Sequence, residues 1–128
     1  PVYDGNVKPV TLRDEHGEID FYMLPFVRKS TVRYFFPEEK IDSENDAIAA
    51  AVRAMKVNPD RRNVCVAHQF VTGASVSGAE ESNVGGLDAV NPTVFSQFDY
   101  VALGHIHRPQ TGAANSRYCG SPLNYSFA

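Results

Sequence analysis

Hydrophobic and polar positions divide the chain into short β-rich runs, one amphipathic helix and long polar connections. Residues 7–12 and 19–27 are rich in β-branched and aromatic side chains, and the polar, glycine-containing stretch 13–18 between them predicts a hairpin turn. Because side chains alternate along a strand, Phe21, Met23 and the alternating positions predict one buried face in the second run.

The clearest helix is predicted over residues 43–57. Ser43 is a favourable N-cap residue, and Asp46 places a negative charge near the positive end of the helix dipole. From Ile48 to Met55, apolar residues recur at spacings of four and three, which predicts a stripe that faces the core.

Two segments are predicted to be irregular. Residues 28–42 are charged and contain Pro37, which would break a helix. Residues 72–92 are rich in Gly, Ser and Asn and show no clear periodicity. A connection of that length inside a compact domain is uncommon and is usually functional or disordered.

Two short, nearly continuous apolar runs, residues 63–68 and 100–103, predict strands that are buried on both faces. The first follows the predicted helix, as in a layered α/β fold. Residues 118–123 predict one more short strand and a turn. There is no internal repeat and no sign of a second unit, so residues 1–128 are predicted to form one α/β domain.

Three of the four histidines stand at the carboxyl ends of these apolar strands. His68 ends one strand, and His105 and His107 end or follow the other. Open α/β sheets bind ligands at the carboxyl ends of their strands, and a neutral imidazole there is a good ligand for a divalent ion. Gly104 permits a turn or a close approach, so that the two rings of His-x-His can point to different ions. The pattern favours a metal site.

Less specific interpretations remain open for several of these residues. A single histidine at a strand end, as His68 would be by itself, is more often a satisfied polar residue than a ligand. Arg108 is as compatible with a solvated loop arginine as with a phosphate contact. Asp88 and Ser121 are more typical of turns than of a site, and His16 is predicted to lie at the surface.

Composition and charge restrict the possible partners. With 12 basic and 15 acidic side chains the net charge is −3. This charge gives no indication that the chain forms the main surface for binding duplex nucleic acid. The two cysteines are too few for a disulfide framework, which indicates reduced thiols and a cytoplasmic protein. No apolar stretch approaches the roughly 20 residues that a membrane span needs, so no membrane partner is expected.

A longer pattern resembles a known family. VGGLDAVNPTVFSQFDYVALGHIHRPQ (84–110), followed by YCGSPLNYSF (118–127), resembles bacterial SbcD-type DNA exonuclease subunits of the calcineurin-like metallophosphoesterase superfamily. VCVAHQF (64–70) resembles the histidine motif that precedes these segments in the family. The resemblance covers essentially the whole chain, but only the second, C-terminal half of the family's phosphoesterase domain.

This resemblance implies half of a metallophosphoesterase β-sandwich flanked by helices, with a mixed sheet. It also implies two divalent cations, usually Mn²⁺, with His68 and His105 as ligands of one ion and His107 as a ligand of the other. Such an ion pair clamps a phosphodiester and activates a water molecule. The implied partners are DNA and a coiled-coil ATPase subunit of the SbcC type.

The resemblance places the family's Asp-x-His, Gly-Asp and Gly-Asn-His motifs, which supply the bridging carboxylate and the catalytic histidine, upstream of the residues present here. Asp4-Gly5-Asn6 lacks the histidine that would have to follow. The chain is therefore expected to be a fragment that has no catalytic residue, holds an incomplete metal site, lacks nuclease activity and exposes a sheet edge and an apolar face, which favour a homodimer. The alternatives are a metallophosphoesterase for nucleotides or phosphoproteins, and a metal-free interaction module.

Overall fold

The structure is a computed structural model that describes residues 2–73, 89–113 and 115–123. These residues form one six-stranded sheet, two α-helices and a 3₁₀ helix. The elements in chain order are β1 Val10–Asp14, β2 Gly17–Leu24, α1 Lys29–Phe35, α2 Glu44–Ala54, β3 Arg62–His68, the 3₁₀ helix Pro92–Phe95, β4 Tyr100–Gly104, β5 Gln110–Thr111 and β6 Ser116–Tyr118. Among these described residues, neither the length nor the composition of any helix matches a membrane span.

The sheet is mixed, with strand order β1-β2-β3-β4-β6-β5. The predicted hairpin forms between β1 and β2, whose turn lies at residues 15–16. Strands β2, β3, β4 and β6 then pair in parallel, and β5 returns antiparallel to β6. The predicted α/β class with a mixed sheet is confirmed, and the arrangement is compatible with half of a metallophosphoesterase domain.

Helix α2 begins where the sequence predicts it. The Ser43 hydroxyl accepts from the Asp46 N–H at 3.0 Å, and the Asp46 carboxylate accepts from the Ser43 N–H, so two backbone donors at the helix start are satisfied. The predicted stripe that includes Ile48 and Val52 is buried. The helix ends at Ala54 rather than at residue 57.

The prediction of an irregular segment over residues 28–42 is wrong, because α1 lies within it. Pro37 follows the end of this helix and therefore terminates it rather than preventing it. The helix is short, but Val32 is fully buried, and the Lys29 N–H donates to the Glu44 carboxylate at 2.9 Å. Packing against α2 thus stabilises a helix that its own sequence favours only weakly.

The buried face predicted for the second run is also wrong. In β2 the buried residues are Asp20, Tyr22 and Leu24, whereas Met23 is 48% exposed and Phe21 is half-buried. Both faces of this strand carry apolar residues, so the alternation alone does not determine which face the helices cover.

Strands β3 and β4 are buried on one face, not on both as predicted. Cys65, Ala67 and Leu103 lie in the core that they share with the helices, while Val66 and Tyr100 remain 40% and 42% exposed. Apolar runs in neighbouring parallel strands usually indicate helices on both sides of the sheet. Here both α-helices contribute their buried residues to a single core cluster on one face of the sheet.

The opposite face of the sheet is apolar and exposed. The pairing register places the large exposed apolar side chains of β1 to β4 on this one face, for example Met23 beside Val66. We call this surface the open face; its large exposed apolar residues, between 40% and 55% exposed, are Val10, Leu12, Met23, Val66 and Tyr100.

The remaining connections are partly described. Residues 74–88 of the segment 72–92 lie outside the described residues, but Val71 and Val90, on either side of that stretch, form a parallel β-bridge. The 3₁₀ helix that follows was not predicted. The predicted short strand and turn of residues 118–123 are present as the end of β6 and a turn at Gly120, which has φ +75°.

Candidate metal centre

His68 and His105 meet at the carboxyl ends of two adjacent parallel strands. β3 ends at His68, β4 ends at Gly104, and these two residues are partners in the register. The His68 and His105 rings lie with their centroids 5.4 Å apart and their planes 88° to one another. The structure thus brings together two of the three predicted ligands.

Gly104 is what allows His68 to occupy this position. A Cβ built on Gly104 would lie 2.9 Å from His68 Nδ1, which is closer than real Cβ atoms approach other atoms. Glycine removes this conflict, so the imidazole rests directly against the backbone of the neighbouring strand. This is the close approach that the sequence predicted at Gly104.

The backbone of His105 is strained. Its φ of +104° lies in a region that glycine adopts readily and other residues rarely do. Such conformations cost on the order of 1–3 kcal/mol and occur preferentially at functional sites. The neighbouring Ile106 is 1% exposed and fixes the turn in the core.

His107 and Arg108 lie just beyond this turn and are exposed. The His107 carbonyl accepts from the Ser121 N–H at 2.8 Å. β4 has already ended at Gly104, so the two rings of His-x-His need not point the same way. The ligand role of His107 and the phosphate contact of Arg108 stay predictions.

The remaining candidate site residues either have a structural explanation or lie outside the described residues. The Ser121 hydroxyl donates to the Leu123 carbonyl at 2.8 Å, as a turn residue does. His16 is exposed in the β1–β2 turn, as predicted. Asp88 lies outside the described residues.

The donor set fits a divalent cation in part. Imidazole nitrogens bind such ions at about 2.1 Å, and the His68 and His105 rings are close enough to share one. Within residues 2–73, 89–113 and 115–123, no group of three or more His, Cys, Asp or Glu side chains stands ready to hold a metal. Two imidazoles leave a coordination sphere incomplete, so further ligands are needed for tight binding.

Sequence reasoning missed the aromatic surroundings of the histidines. The Phe26 ring lies 6.0 Å from the His68 ring, edge to face, and the Phe70 ring lies 6.3 Å from that of His105. The guanidinium of Arg28 stands 5.8 Å from the centroid of Phe26, within the range of a cation–π contact. Phe26 closely follows β2, so a correct prediction of parallel β2–β3 pairing would have placed it beside His68.

A mixed sheet with histidines at adjacent strand ends is compatible with half of a metallophosphoesterase domain. No known family profile matches the chain. The chain is, however, 34% identical over 125 residues to the SbcD component of the SbcCD nuclease of Staphylococcus saprophyticus subsp. saprophyticus, an alignment that covers 94% of this chain and 32% of that protein. The resemblance to SbcD-type nuclease subunits is thereby confirmed, and the chain spans about a third of the length of this curated relative.

Proposed function

We propose that residues 1–128 form the C-terminal part of the metallophosphoesterase domain of a DNA exo/endonuclease, and that they supply histidine ligands to its metal centre. The observation that carries this proposal is the 5.4 Å separation of the His68 and His105 rings at the ends of β3 and β4. The similarity to a protein named as a nuclease component supports the same reaction class.

In this proposal His68 and His105 hold one divalent cation and His107 holds a second, with Mn²⁺ as the physiological ion. When bound, the two ions supply Lewis-acid stabilisation of a phosphodiester and a water molecule of lowered pKa. The chain's own residues orient the site. The Gly104 backbone and the Phe26 ring fix the His68 imidazole, and Arg108 would contact a DNA phosphate.

The chain alone is proposed to bind metal weakly and to lack nuclease turnover. Its described residues bring two imidazoles together but no bridging carboxylate. A longer protein that contains this chain would act on DNA in the cytoplasm, where thiols stay reduced, together with a coiled-coil ATPase subunit of the SbcC type. The net charge of −3 is consistent with a chain that shares duplex binding with other surfaces.

We further propose that a second copy of the chain covers the open face in the isolated protein. Five large apolar side chains on this face are between 40% and 55% exposed. A contiguous apolar surface on one side of a sheet favours association with a like surface, because both then lose contact with water. This contact would produce a concentration-dependent homodimer.

The metal proposal is tested by titrating the isolated chain with Mn²⁺ and following the imidazole proton signals by NMR. Paramagnetic Mn²⁺ should broaden the His68 and His105 signals at lower concentrations than the His16 signal. His16 is an internal control because its side chain is 74% exposed in the β1–β2 turn, where it pairs with Glu15. Equal broadening of all histidines would overturn the proposal.

Activity assays separate the alternatives. The isolated chain with Mn²⁺ is expected to leave DNA uncleaved, and robust turnover abolished by His105→Ala would contradict this expectation. A longer protein that contains the chain should hydrolyse DNA in preference to nucleotides or phosphoproteins. A metal-free interaction module would show no change in thermal stability with Mn²⁺, whereas a weak site produces a small rise in Tm.

A further inference from the structure

Tyr118 contacts the loop that directly follows His68. It is the last residue of β6 and pairs in parallel with Leu103 of β4. Its side chain is fully buried, at 0% exposure, and burial raises the pKa of its hydroxyl, which is therefore neutral. The ring thus places a hydroxyl group inside the core, where it needs hydrogen-bond partners.

Both partners of this hydroxyl belong to the segment directly after His68. The Val71 N–H donates to the Tyr118 oxygen at 2.8 Å, and the Tyr118 O–H donates to the Gln69 carbonyl at 3.2 Å. A buried donor or acceptor left without a partner destabilises the fold, so these two hydrogen bonds hold the segment to Tyr118 at two points. These two hydrogen bonds therefore fix the backbone that positions His68.

The residues after Tyr118 hold the other histidine segment. The Cys119 N–H donates to the Leu103 carbonyl at 3.0 Å, and the Ser121 N–H donates to the His107 carbonyl at 2.8 Å. Between them, Gly120 has φ +75° and approaches Pro109 so closely that a Cβ would lie 2.5 Å from Pro109 Cγ. The strip of residues 118–121 therefore touches both histidine-bearing segments at backbone atoms.

We propose that this strip is the positioning element of the metal centre, and that the Tyr118 hydroxyl sets the placement of His68 relative to His105. Tyr118 is a positioning residue and acts on the site only through the backbone of residues 69–71. The inference rests on the proposed function where metal affinity is concerned, but the placement of His68 can be measured without any metal.

The experiment compares Tyr118→Phe with Tyr3→Phe in the isolated chain. Tyr118→Phe removes only the hydroxyl and keeps the ring. Tyr3 is a matched control because it is also buried, at 7% exposure, and its hydroxyl has no hydrogen-bond partner among the described residues. Amide hydrogen exchange at Val71 and the nuclear Overhauser contacts between the His68 and His105 rings report on the segment and on the site.

In the wild-type chain the Val71 amide should be protected from exchange. Tyr118→Phe should accelerate its exchange by about tenfold or more and weaken the contacts between the two rings, while Tyr3→Phe leaves both unchanged. A freely exchanging Val71 amide in the wild-type chain would overturn the proposal even if the variant fails to fold. Unchanged exchange and ring contacts in a folded Tyr118→Phe chain would overturn it as well.

A Mn²⁺ titration then separates this proposal from the proposed function. Tyr118→Phe should raise the Mn²⁺ concentration that broadens the His68 signal by about tenfold, the lower end of the effects of groups that orient metal ligands. If the wild-type histidines show no preferential broadening, the proposed function fails while the exchange result still decides the role of Tyr118. If the wild type binds and the variant binds equally well, the positioning role fails alone.

Discussion

The Nδ1 atom of His68 lies 2.9 Å from the point that a Cβ on Gly104 would occupy. The two residues are register partners at the ends of β3 and β4, so the contact joins the strand end that carries one candidate ligand to the turn that carries the other. Any side chain at residue 104 must displace the imidazole or push the two strands apart.

Gly104→Ala should therefore destabilise the fold by about 1–3 kcal/mol and move the His68 ring away from that of His105. Denaturant unfolding measures the loss of stability, and the NMR contacts between the two rings measure the displacement of the His68 ring. The control is the same substitution in a His68→Ala background, where the added methyl group meets no ring. A double-mutant cycle should show strong coupling; an equal cost in both backgrounds would rule out the steric explanation.

His105 supplies a second prediction, because its φ of +104° suits glycine better than any other residue. His105→Gly should be more stable than His105→Ala by about 1 kcal/mol, since alanine retains the strain and glycine relieves it. Both variants lose the imidazole, so the comparison isolates the backbone. An alanine variant as stable as the glycine variant would show that the residue is unstrained in solution.

The sequence predicts the local features of the fold well. The N-cap predicted at Ser43 is confirmed. It could be predicted because the residues that form a cap lie close together in the sequence. The close approach at Gly104 is confirmed, because a Cβ there would lie 2.9 Å from His68 Nδ1. The meeting of His68 and His105 could be expected because both follow apolar strands of an α/β sheet, and β3 and β4 do pair in parallel.

Features that depend on tertiary packing could not be predicted. The alternation predicts Met23 on a buried face, but β2 carries apolar residues on both sides and only the helices decide which side is covered. The role inferred for Tyr118 has no local signal, because its hydroxyl bonds to residues almost fifty positions away in the chain. Phe26 likewise reaches His68 only through the parallel pairing of β2 with β3.

A third prediction concerns Asp14, which joins the hairpin turn to β3. Its carboxylate accepts from both terminal nitrogens of Arg62, at 3.0 and 2.6 Å, and this hydrogen-bonded pair lowers the pKa of Asp14 from 3.8 to about 2. A carboxyl group whose pKa is lower in the folded state binds its proton more readily when unfolded. Its contribution to stability is therefore present above pH 3.8 and is lost as the pH falls toward 2.

Asp14→Asn should remove this part of the pH dependence, so that its Tm approaches that of the wild type as the pH falls from 4 to 2. The effect should be small because the pair is at the surface, and added salt should reduce it. Glu15→Gln is the matched control, since Glu15 lies in the same turn and pairs with His16 rather than with Arg62. Parallel curves for wild type and Asp14→Asn across this range would contradict the prediction.

The fourth prediction concerns the open face, where a charge should oppose association more than it harms the fold. Met23 and Val66 are register partners near the centre of this face and are 48% and 40% exposed. A lysine at either position keeps much of its surface in water in the monomer but would be buried without a partner in a dimer, which is costly. Met23→Lys and Val66→Lys should therefore shift the chain toward monomer by at least tenfold in the dissociation constant, as measured by sedimentation equilibrium.

Tyr34→Lys is the matched control, because Tyr34 is 80% exposed on α1, outside the open face. It should leave the dissociation constant unchanged. A wild-type chain that remains monomeric at high concentration would show that the open face does not bind a second copy. Loss of association in Tyr34→Lys but not in the two sheet variants would instead place the contact on the helical side of the molecule.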